Sequence, residues 1–351
     1  MTARILLGVD GGNTKTVAVA AATDGTIVGT ARVVRGSDIH AVSSEAAMAV
    51  FHEAADGALG GRAAGGGVVA AAFSLAGADW PEDVALLARH LGARWSAPIV
   101  VNDAIGALRG AIPAGPGVIV VCGTGTATGA RGPDGRTWHS GFWQEVQGAH
   151  ELGVRTLRAI YRAELGIDGP TALTERVLTE TGEADVEALL HHATGRDVPR
   201  RRDPATLAWI LLDAADEGDP TAVALVTDHG IGLGRTAVAA ARRVGIDRDR
   251  PFGLALAGGV LRHRAAVLRD AIVDTVRAGA PGAFIVVPEL EPVAGALLLA
   301  FDAAGLATGP DVRTRIAAGL VSAELFDTHP VRATMEAAVN GGAPGTVDDG
   351  R

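Results

Sequence analysis

Two glycine-rich turns between short apolar segments restrict the folds open to this chain more than any other feature. In the first, an apolar segment beginning at Ile5 ends at Asp10, and a second apolar segment spans residues 17–22. The second segment ends at Asp24-Gly25, a dipeptide typical of β-hairpin turns. The stretch therefore predicts three consecutive strands joined by tight turns. The first turn consists of Gly11, Gly12, Asn13, Thr14, Lys15 and Thr16.

The residue types of this first turn suit the binding of phosphate. Glycines let the backbone approach a ligand closely, and successive N–H groups in such a turn form a nest for anions. Asp10, at the end of the predicted strand, could hold a hydrated Mg²⁺ that bridges to phosphate. An ordinary tight hairpin with a capping Asp would explain the same residues. The turn matches neither the Gly-x-Gly-x-x-Gly fingerprint nor the P-loop, so it lacks the marks of those nucleotide sites.

The same pattern occurs a second time, where an apolar segment over residues 118–122 leads into another turn of glycines and threonines. Two such hairpins predict duplicated lobes that hold one polyphosphate from both sides. A third glycine turn ends a short apolar segment and precedes a helical pattern over residues 261–277. The second turn consists of Gly123, Thr124, Gly125 and Thr126, and the third contains Gly258 and Gly259.

At these residues the chain resembles the sugar kinases of the actin-like ATPase superfamily. The resemblance is to the branch of N-acetylglucosamine and glucosamine kinases, the BadF/BadG/BcrA/BcrD-type ATPase family. Residues 10–16 are similar to its first phosphate motif, residues 123–126 to its second, and Gly258-Gly259 to its adenosine motif. Asn102 and Asp103 are similar to the strand end between the two phosphate motifs. The resemblance implies an α/β fold of two actin-like (ribonuclease H-like) lobes with an interdomain cleft.

The resemblance also divides the chain into lobes. We expect an N-terminal lobe over residues 1–112 and a C-terminal lobe that binds ATP over residues 113–291. A helix over residues 292–306 would return to the first lobe, and residues 307–351 would form a partly disordered C-terminal extension. Gly232 and Gly234 interrupt a helical pattern in the second lobe. Either a close approach to the nucleotide or glycine-mediated helix packing would explain them.

Asp103 is the candidate catalytic residue. It lies where a predicted strand stops and a helix begins, which is the ligand-facing edge of an open α/β sheet. The resemblance makes it the general base that deprotonates a sugar hydroxyl while the γ-phosphoryl group of ATP is transferred. A helix N-cap would explain the same position. The cofactors implied are ATP and Mg²⁺, with the metal near Asp10.

The resemblance also implies a sugar pocket. Its candidate residues are Asp38, His40, Asn102, Asp103, Trp143, Glu145 and His150. His40 could equally be a loop histidine, and Trp143 could belong to the core. Carboxylates near the sugar would favour the ammonium group of glucosamine, whereas an apolar pocket from Ile39, Phe142 or Trp143 would favour N-acetylglucosamine. Asp79 is predicted instead to cap a helix.

Length and composition limit the class of protein. The 351 residues suffice for two domains, and the net charge of −9 argues against nucleic acid, which needs a basic surface. The single cysteine, Cys122, excludes a disulfide framework and argues against the iron–sulfur activators of the superfamily. A nucleotide-driven activator or regulatory ATPase remains the competing function. With neither a signal peptide nor a long apolar span in evidence, we expect a cytoplasmic homodimer with no membrane partner.

Overall fold

Two five-stranded sheets form the framework of the computed structural model, which describes residues 4–61, 67–143, 147–196, 203–320 and Leu325. The strands of the first sheet are β1 (Ile5–Gly11), β2 (Thr16–Ala22), β3 (Ile27–Val33), β4 (Val68–Leu75) and β5 (Ile99–Asn102). The strands of the second sheet are β6 (Gly117–Cys122), β7 (Thr126–Arg131), β8 (Thr137–His139), β9 (Phe252–Ala257) and β10 (Ala283–Val286).

Both sheets have the same topology. The strand order is β3-β2-β1-β4-β5 in the first sheet and β10-β9-β6-β7-β8 in the second. In each sheet three consecutive strands pair antiparallel, and two later strands extend the sheet in parallel orientation. The two glycine turns occupy corresponding corners, between β1 and β2 and between β6 and β7. The predicted α/β class with a duplicated hairpin is therefore confirmed.

Helices cover both sheets, and several begin at side chains that accept hydrogen bonds from the first helical N–H groups. Ser43 accepts from Ala46 N at 3.2 Å, and Asp219 accepts from Ala222 N at 2.8 Å. The α-helices in the described part of the chain are α1 (Ser44–Leu59), α2 (Pro81–Gly92), α3 (Asp103–Ala111), α4 (Ala149–Glu164), α5 (Leu173–Thr181), α6 (Val186–Thr194), α7 (Ala208–Asp216), α8 (Pro220–Arg243), α9 (Val267–Gly279), α10 (Pro292–Ala303) and α11 (Pro310–Gly319).

Each sheet forms its own core. In the first lobe, defined here as the first sheet with α1, α2, α10 and α11, the rings of Phe51 and Phe73 pack with centroids 6.3 Å apart. The opposite face of that sheet is buried against α10, where Leu6 meets the cluster of Leu297 and Phe301. The second lobe, defined as the second sheet with α4 to α9, has a separate and larger core. Burial of these apolar side chains is the main driving force for folding each lobe.

Two crossing helices, α3 and α10, connect the lobes. A Cβ atom at Gly295 of α10 would overlap the carbonyl oxygen of Gly106 in α3, so the two backbones touch where they cross. A Cβ atom at Gly8 would likewise overlap the backbone of Leu297, which holds α10 against β1. The other side of α3 packs on the second sheet, through Leu108 and neighbouring apolar residues. This crossing fixes the two strand edges that face each other.

The structure revises one prediction about helices and decides between two explanations of a glycine. The helix predicted over residues 261–277 starts only at Val267, because Val260–Arg262 forms a single 3₁₀ turn. Arg269 donates hydrogen bonds to the carbonyl oxygens of Leu261 in this turn and of Arg264 after it. Helix packing accounts for Gly234, since its Cβ would lie 2.6 Å from Thr275 Cβ of α9.

Part of the predicted C-terminal extension forms a helix, α11, which packs on the first lobe through Ile316. Apart from Leu325, residues 321–351 lie outside the described residues, so the expected disorder there stays a prediction. Within the described ranges, no helix combines the length and apolar character needed to cross a bilayer.

Candidate active site

The first two glycine turns face each other across the gap between the lobes. A Cβ atom at Gly125 of the second turn would lie 3.3 Å from Nδ2 of Asn13 in the first turn. Asn13 and Thr14 are exposed at this gap, and Gly12 and Lys15 are partly exposed. The two turns therefore line one cleft, as their sequences predicted.

The first turn is held in shape from inside its own lobe. Gly12 N donates to Lys15 O at 2.9 Å, which closes the turn. A Cβ atom at Gly11 would lie 2.7 Å from Ser37 Oγ, so a larger residue does not fit. Thr16 is fully buried, and its hydroxyl shares a 2.8 Å hydrogen bond with Ser37 Oγ. The hydroxyl of Thr16 thus supports the turn internally, whereas residues 12–15 offer backbone and side-chain groups to the cleft.

The second turn is anchored by the start of α4. Ala149 N donates to Gly123 O at 2.8 Å, and His150 N donates to Thr124 O at 3.3 Å. Within the turn, Gly123 N donates to Gly125 O at 2.9 Å. The carbonyl oxygens of Gly123, Thr124 and Gly125 therefore all accept hydrogen bonds, which fixes the shape of the turn.

The third turn lies directly behind the second. Gly258 has a φ of 98°, which only glycine adopts readily, and a Cβ there would overlap the backbone of Cys122. Gly259 follows with an ordinary helical φ of −55° and begins the 3₁₀ turn. All three glycine turns found in the sequence therefore meet at one end of the cleft.

Asp10 lies at the first turn with its charge poorly compensated. Burial and the nearby charges of Asp103 and Glu291 raise the pKa of its carboxyl to about 7, although the charge of Lys15 opposes this rise. Burial and the charge of Arg32 lower the pKa of Lys15 to about 8. A buried carboxylate in this condition gains from a cation beside it.

The donor set at this place suits a hydrated Mg²⁺. Among the described residues, no three His, Cys, Asp or Glu side chains come together as a complete metal cage. Mg²⁺ commonly keeps several waters and binds through one or two carboxylates together with substrate phosphates. A single carboxylate such as Asp10, with a raised pKa and facing a phosphate-type turn, fits that mode of binding.

An ion pair near the first turn was not predicted from the sequence. Arg262, just after the third turn, donates to both carboxylate oxygens of Glu291 at 2.7 and 2.9 Å. Glu291 precedes α10, and both residues act electrostatically on Lys15. In the sequence Glu291 marks only the start of a helix, so no local signal could have revealed this pair.

Asp103 is the first residue of α3, at the end of β5. Its Oδ1 accepts from Ala104 N at 2.8 Å, and Asn102 is the N-cap, whose Oδ1 accepts from the same N–H at 3.0 Å. The carboxyl of Asp103 is partly exposed at the cleft. Burial and the charges of Asp79 and Asp38 raise its pKa to about 6, although the hydrogen bond from Ala104 N opposes this rise. A carboxylate with a pKa this close to neutral is suited to accept a proton.

Asp79 belongs to the site, which corrects the prediction that it caps a helix. The N-cap of α2 is Trp80, whose N–H donates to Asp83 Oδ2 at 2.9 Å. Asp79 Oδ1 instead accepts from Asn102 Nδ2 at 3.0 Å. Burial and the charge of Asp38 raise the pKa of Asp79. The Asp-Trp-Pro-Glu sequence allowed two capping registers, and Asp83 completes the cap that forms.

Two of the predicted sugar residues join Asp79. Asp38 Oδ1 accepts from His40 N at 2.8 Å, and His40 Nε2 lies 3.9 Å from Asp79 Oδ2 and 3.2 Å from Asp83 Oδ2. With Asn102, these side chains form a polar wall beside Asp103. His40 is therefore more than a loop histidine with a local bond.

An aromatic turn of the second lobe closes over this wall. Phe142 is 61% exposed, yet its ring lies 5.0 Å from the ring of His40 and 6.4 Å from that of Trp80. Phe142, Trp143 and Asp79 line a shared cavity of about 230 Å³. Trp143 is 66% exposed, so the core alternative for it is wrong.

The remaining predicted sugar residues have different outcomes. His150 Nδ1 lies 3.2 Å from Asp203 Oδ1, because its position in the first turn of α4 places it beside the helix start at Asp203. The partner of His150 is therefore Asp203, which is not part of the polar wall. Glu145 lies outside the described residues and stays a sequence-based prediction.

The chain is similar to known kinases over most of its length. N-acetyl-D-glucosamine kinase of Dictyostelium discoideum is 24% identical over 320 residues, which cover 86% of this chain and 99% of that protein. N-acetylmuramic acid/N-acetylglucosamine kinase of Clostridium acetobutylicum is 28% identical over 225 residues, covering 62% of this chain and 72% of that protein.

A solved structure supports the fold. The crystal structure of a candidate N-acetylglucosamine kinase from Chromobacterium violaceum matches with a TM-score of 0.66 and 27% identity, over 85% of this chain and 99% of that one. The predicted pair of actin-like lobes is thereby confirmed. Residues 7–300 match the model of one ATPase family, whose members bind ATP. The chain therefore belongs to the BadF/BadG/BcrA/BcrD ATPase family, as its glycine turns and Asp103 had indicated.

Proposed function

We propose that this protein transfers the γ-phosphoryl group of ATP to a hydroxyl group of an amino sugar. The observation that carries the proposal is the position of Asp103, whose carboxyl has a pKa of about 6 in the cleft lined by the facing glycine turns. The names of the two kinases described above support the substrate class.

The triphosphate would lie between the two turns. Apart from Gly12 N–H and Gly123 N–H, which donate within their own turns, backbone N–H groups and side chains of residues 12–15 and 123–126 would bind its oxygens. Lys15 would add a positive charge. The nucleoside would lie towards Gly258 and Gly259. Asp10 would hold Mg²⁺, which when bound neutralises charge on the phosphates.

Asp103 would act as the general base. As the sugar oxygen forms its bond to the γ-phosphorus, the bond from that phosphorus to the β–γ bridging oxygen breaks and ADP leaves. The hydroxyl proton passes to the carboxylate of Asp103. Asn102 would position Asp103 through the α3 cap, because both side chains accept from Ala104 N.

The polar wall would bind the sugar. The carboxylates of Asp38 and Asp79 can each accept hydrogen bonds from hydroxyl groups, and Phe142 would cover one face of the ring. The acidic wall favours the ammonium group of glucosamine, whereas the named relatives favour N-acetylglucosamine. Glu145 would add a further carboxylate, so both sugars belong in the test.

The competing activator function finds no support at Cys122. Its thiol is fully buried, accepts from Thr126 Oγ1 at 3.6 Å, and has a pKa raised to about 12 by burial. A thiol in this setting is a poor ligand for a cluster shared between subunits.

The proposal is tested by measuring ADP release with glucosamine, N-acetylglucosamine, N-acetylmuramic acid, glucose and no sugar. We expect release that depends on an amino sugar, and a fall in kcat of about 10² or more in Asp103→Asn with ATP affinity nearly unchanged. Asp270→Asn, in the first turn of α9 and exposed, is the matched control. Equal ADP release with and without every sugar would contradict the proposal.

A further inference from the structure

A second cavity, of about 460 Å³, lies on the second lobe and shares no residue with the glycine turns. Most of its lining comes from one face of α8, whose members recur every three or four residues as helix geometry requires. Its volume is in the range of small-molecule pockets, roughly 300–1,000 Å³. The residues that line it are Trp138, Trp143, Arg155, Asp228, Gly232, Arg235, Thr236, Ala239 and Arg243.

Small residues on α8 leave room for a ligand. Gly230 and Gly234 are used in helix packing, because a Cβ at each would lie 2.6 Å from Ala271 or Thr275 of α9. Gly232 lies between them in sequence and lines the cavity instead. Gly232 has no side chain and Ala239 has only a methyl group, so neither fills the floor of the cavity.

The cavity carries positive charge without enough acidic partners. Arg155 is already paired, with Glu151 at 2.9 Å and Asp228 at 2.6 Å. Arg235 and Arg243 form no ion pair with any residue that the structure describes. Two such guanidinium groups, eight residues apart on α8, stand out in a chain with a net charge of −9. Arginine is the side chain best suited to bind phosphate, through paired N–H donors.

Two indole rings complete the wall. Trp143 is 66% exposed, and the guanidinium carbon of Arg243 lies 5.6 Å from its ring centroid. Trp138 of β8 is partly buried beside it. Indole rings present flat apolar faces on which a sugar ring can pack. Arg243 lies over the ring of Trp143.

We propose that this cavity is a binding site for a phosphorylated sugar. It adjoins the cavity beside the polar wall, with which it shares Trp138 and Trp143, but its arginines and Asp228 belong to it alone. Arg235 and Arg243 bind the phosphate group, the indoles contact the ring, and Asp228 accepts hydrogen bonds from hydroxyl or ammonium groups. The choice of an amino-sugar phosphate as ligand rests on the proposed function, but binding requires no turnover, so it is measured separately from kinase activity.

Isothermal titration calorimetry of the full chain tests the site. The titrants are glucosamine 6-phosphate, N-acetylglucosamine 6-phosphate and inorganic phosphate. We expect a phosphosugar to bind more tightly than inorganic phosphate, and the double variant Arg235→Gln/Arg243→Gln to weaken phosphosugar binding at least tenfold. The matched control is Arg242→Gln, since Arg242 is exposed on the same turn of α8 but does not line the cavity.

A further variant separates the ring contact from the charge. Trp143→Ala should weaken phosphosugar binding while leaving inorganic phosphate unaffected. Because Trp143 also lines the cavity beside the polar wall, the double arginine variant decides which of the two places binds the phosphosugar. Unchanged binding in the double variant would place any phosphosugar in the cleft and overturn the proposal. Equal affinity for inorganic phosphate and the phosphosugars, or no binding of either phosphosugar, would overturn it as well. Circular dichroism of each variant verifies that it is folded.

Discussion

Replacing the proposed base should make the protein more stable while it lowers kcat by about 10² or more. In the folded chain the pKa of Asp103 is raised to about 6 from 3.8, chiefly by burial, so its ionised form is disfavoured there. A shift of this size corresponds to about 3 kcal/mol above pH 7, as an upper limit. Because the carboxyl is partly open to cleft water, we expect Asp103→Asn to raise the free energy of unfolding by about 1–2 kcal/mol.

The pH dependence of the stability gain tests whether the raised pKa of Asp103 causes it. A carboxyl whose folded pKa is raised binds more protons in the folded state than in the unfolded state between about pH 4 and 6, so stability falls as pH rises through that range. The gain from Asp103→Asn should therefore be largest above pH 6.5 and shrink to about a third at pH 4.5. Asparagine can still accept the Ala104 N–H, so the cap is preserved.

Urea denaturation of wild type and variant across pH 4.5–8 measures this difference, with Asp270→Asn as the control carboxylate in a helix first turn. We expect the Asp103→Asn curves to converge with wild type at low pH and the Asp270→Asn curves to show no such trend. A variant that is no more stable than wild type at pH 7.5, or a gain that does not depend on pH, would refute the reasoning.

Three other predictions follow from the same site and fold. The kcat/KM of wild type should fall below about pH 6 as Asp103 takes up a proton, since its pKa is about 6; a flat profile between pH 5 and 8 would count against it as the base. Asp10→Ala should raise the Mg²⁺ concentration needed for half-maximal rate, whereas an unchanged requirement in a folded variant would leave Asp10 as a hairpin residue only. Gly295→Ala should destabilise the fold by several kcal/mol, on the order of an overpacked core, because its Cβ would overlap α3. Gly92→Ala, at the end of α2 with open space around it, is the control, and equal denaturation midpoints for the two would refute the packing argument.

The fold could be predicted because its signals are local. Each glycine turn is flanked by apolar segments of strand length, and their recurrence at Gly11 and Gly123 indicates a duplicated topology before any contact is known. The close crossing of Gly295 with Gly106 could not be read in this way. It depends on two helices far apart in the chain, and glycine in a helix pattern has several explanations.

The site was only partly predictable for the same reason. Asp103 stands at a strand end, where position alone indicates a ligand-facing edge. Asp79 was assigned to a cap, because the sequence cannot show which of two registers the helix adopts; the bond to Asn102 is a long-range contact. Arg262 and Glu291 meet only in the folded chain, so neither carried a signal.

The most direct test of phosphoryl transfer is identification of the product. The chain would be incubated with ATP, Mg²⁺ and an amino sugar, and the mixture followed by ³¹P NMR and mass spectrometry. We predict that a phosphorylated amino sugar and ADP form in equal amounts, and that Asp103→Asn forms neither at a comparable rate. Formation of ADP with inorganic phosphate alone, and no phosphorylated sugar from either glucosamine or N-acetylglucosamine, would contradict the proposed kinase and favour a regulatory ATPase.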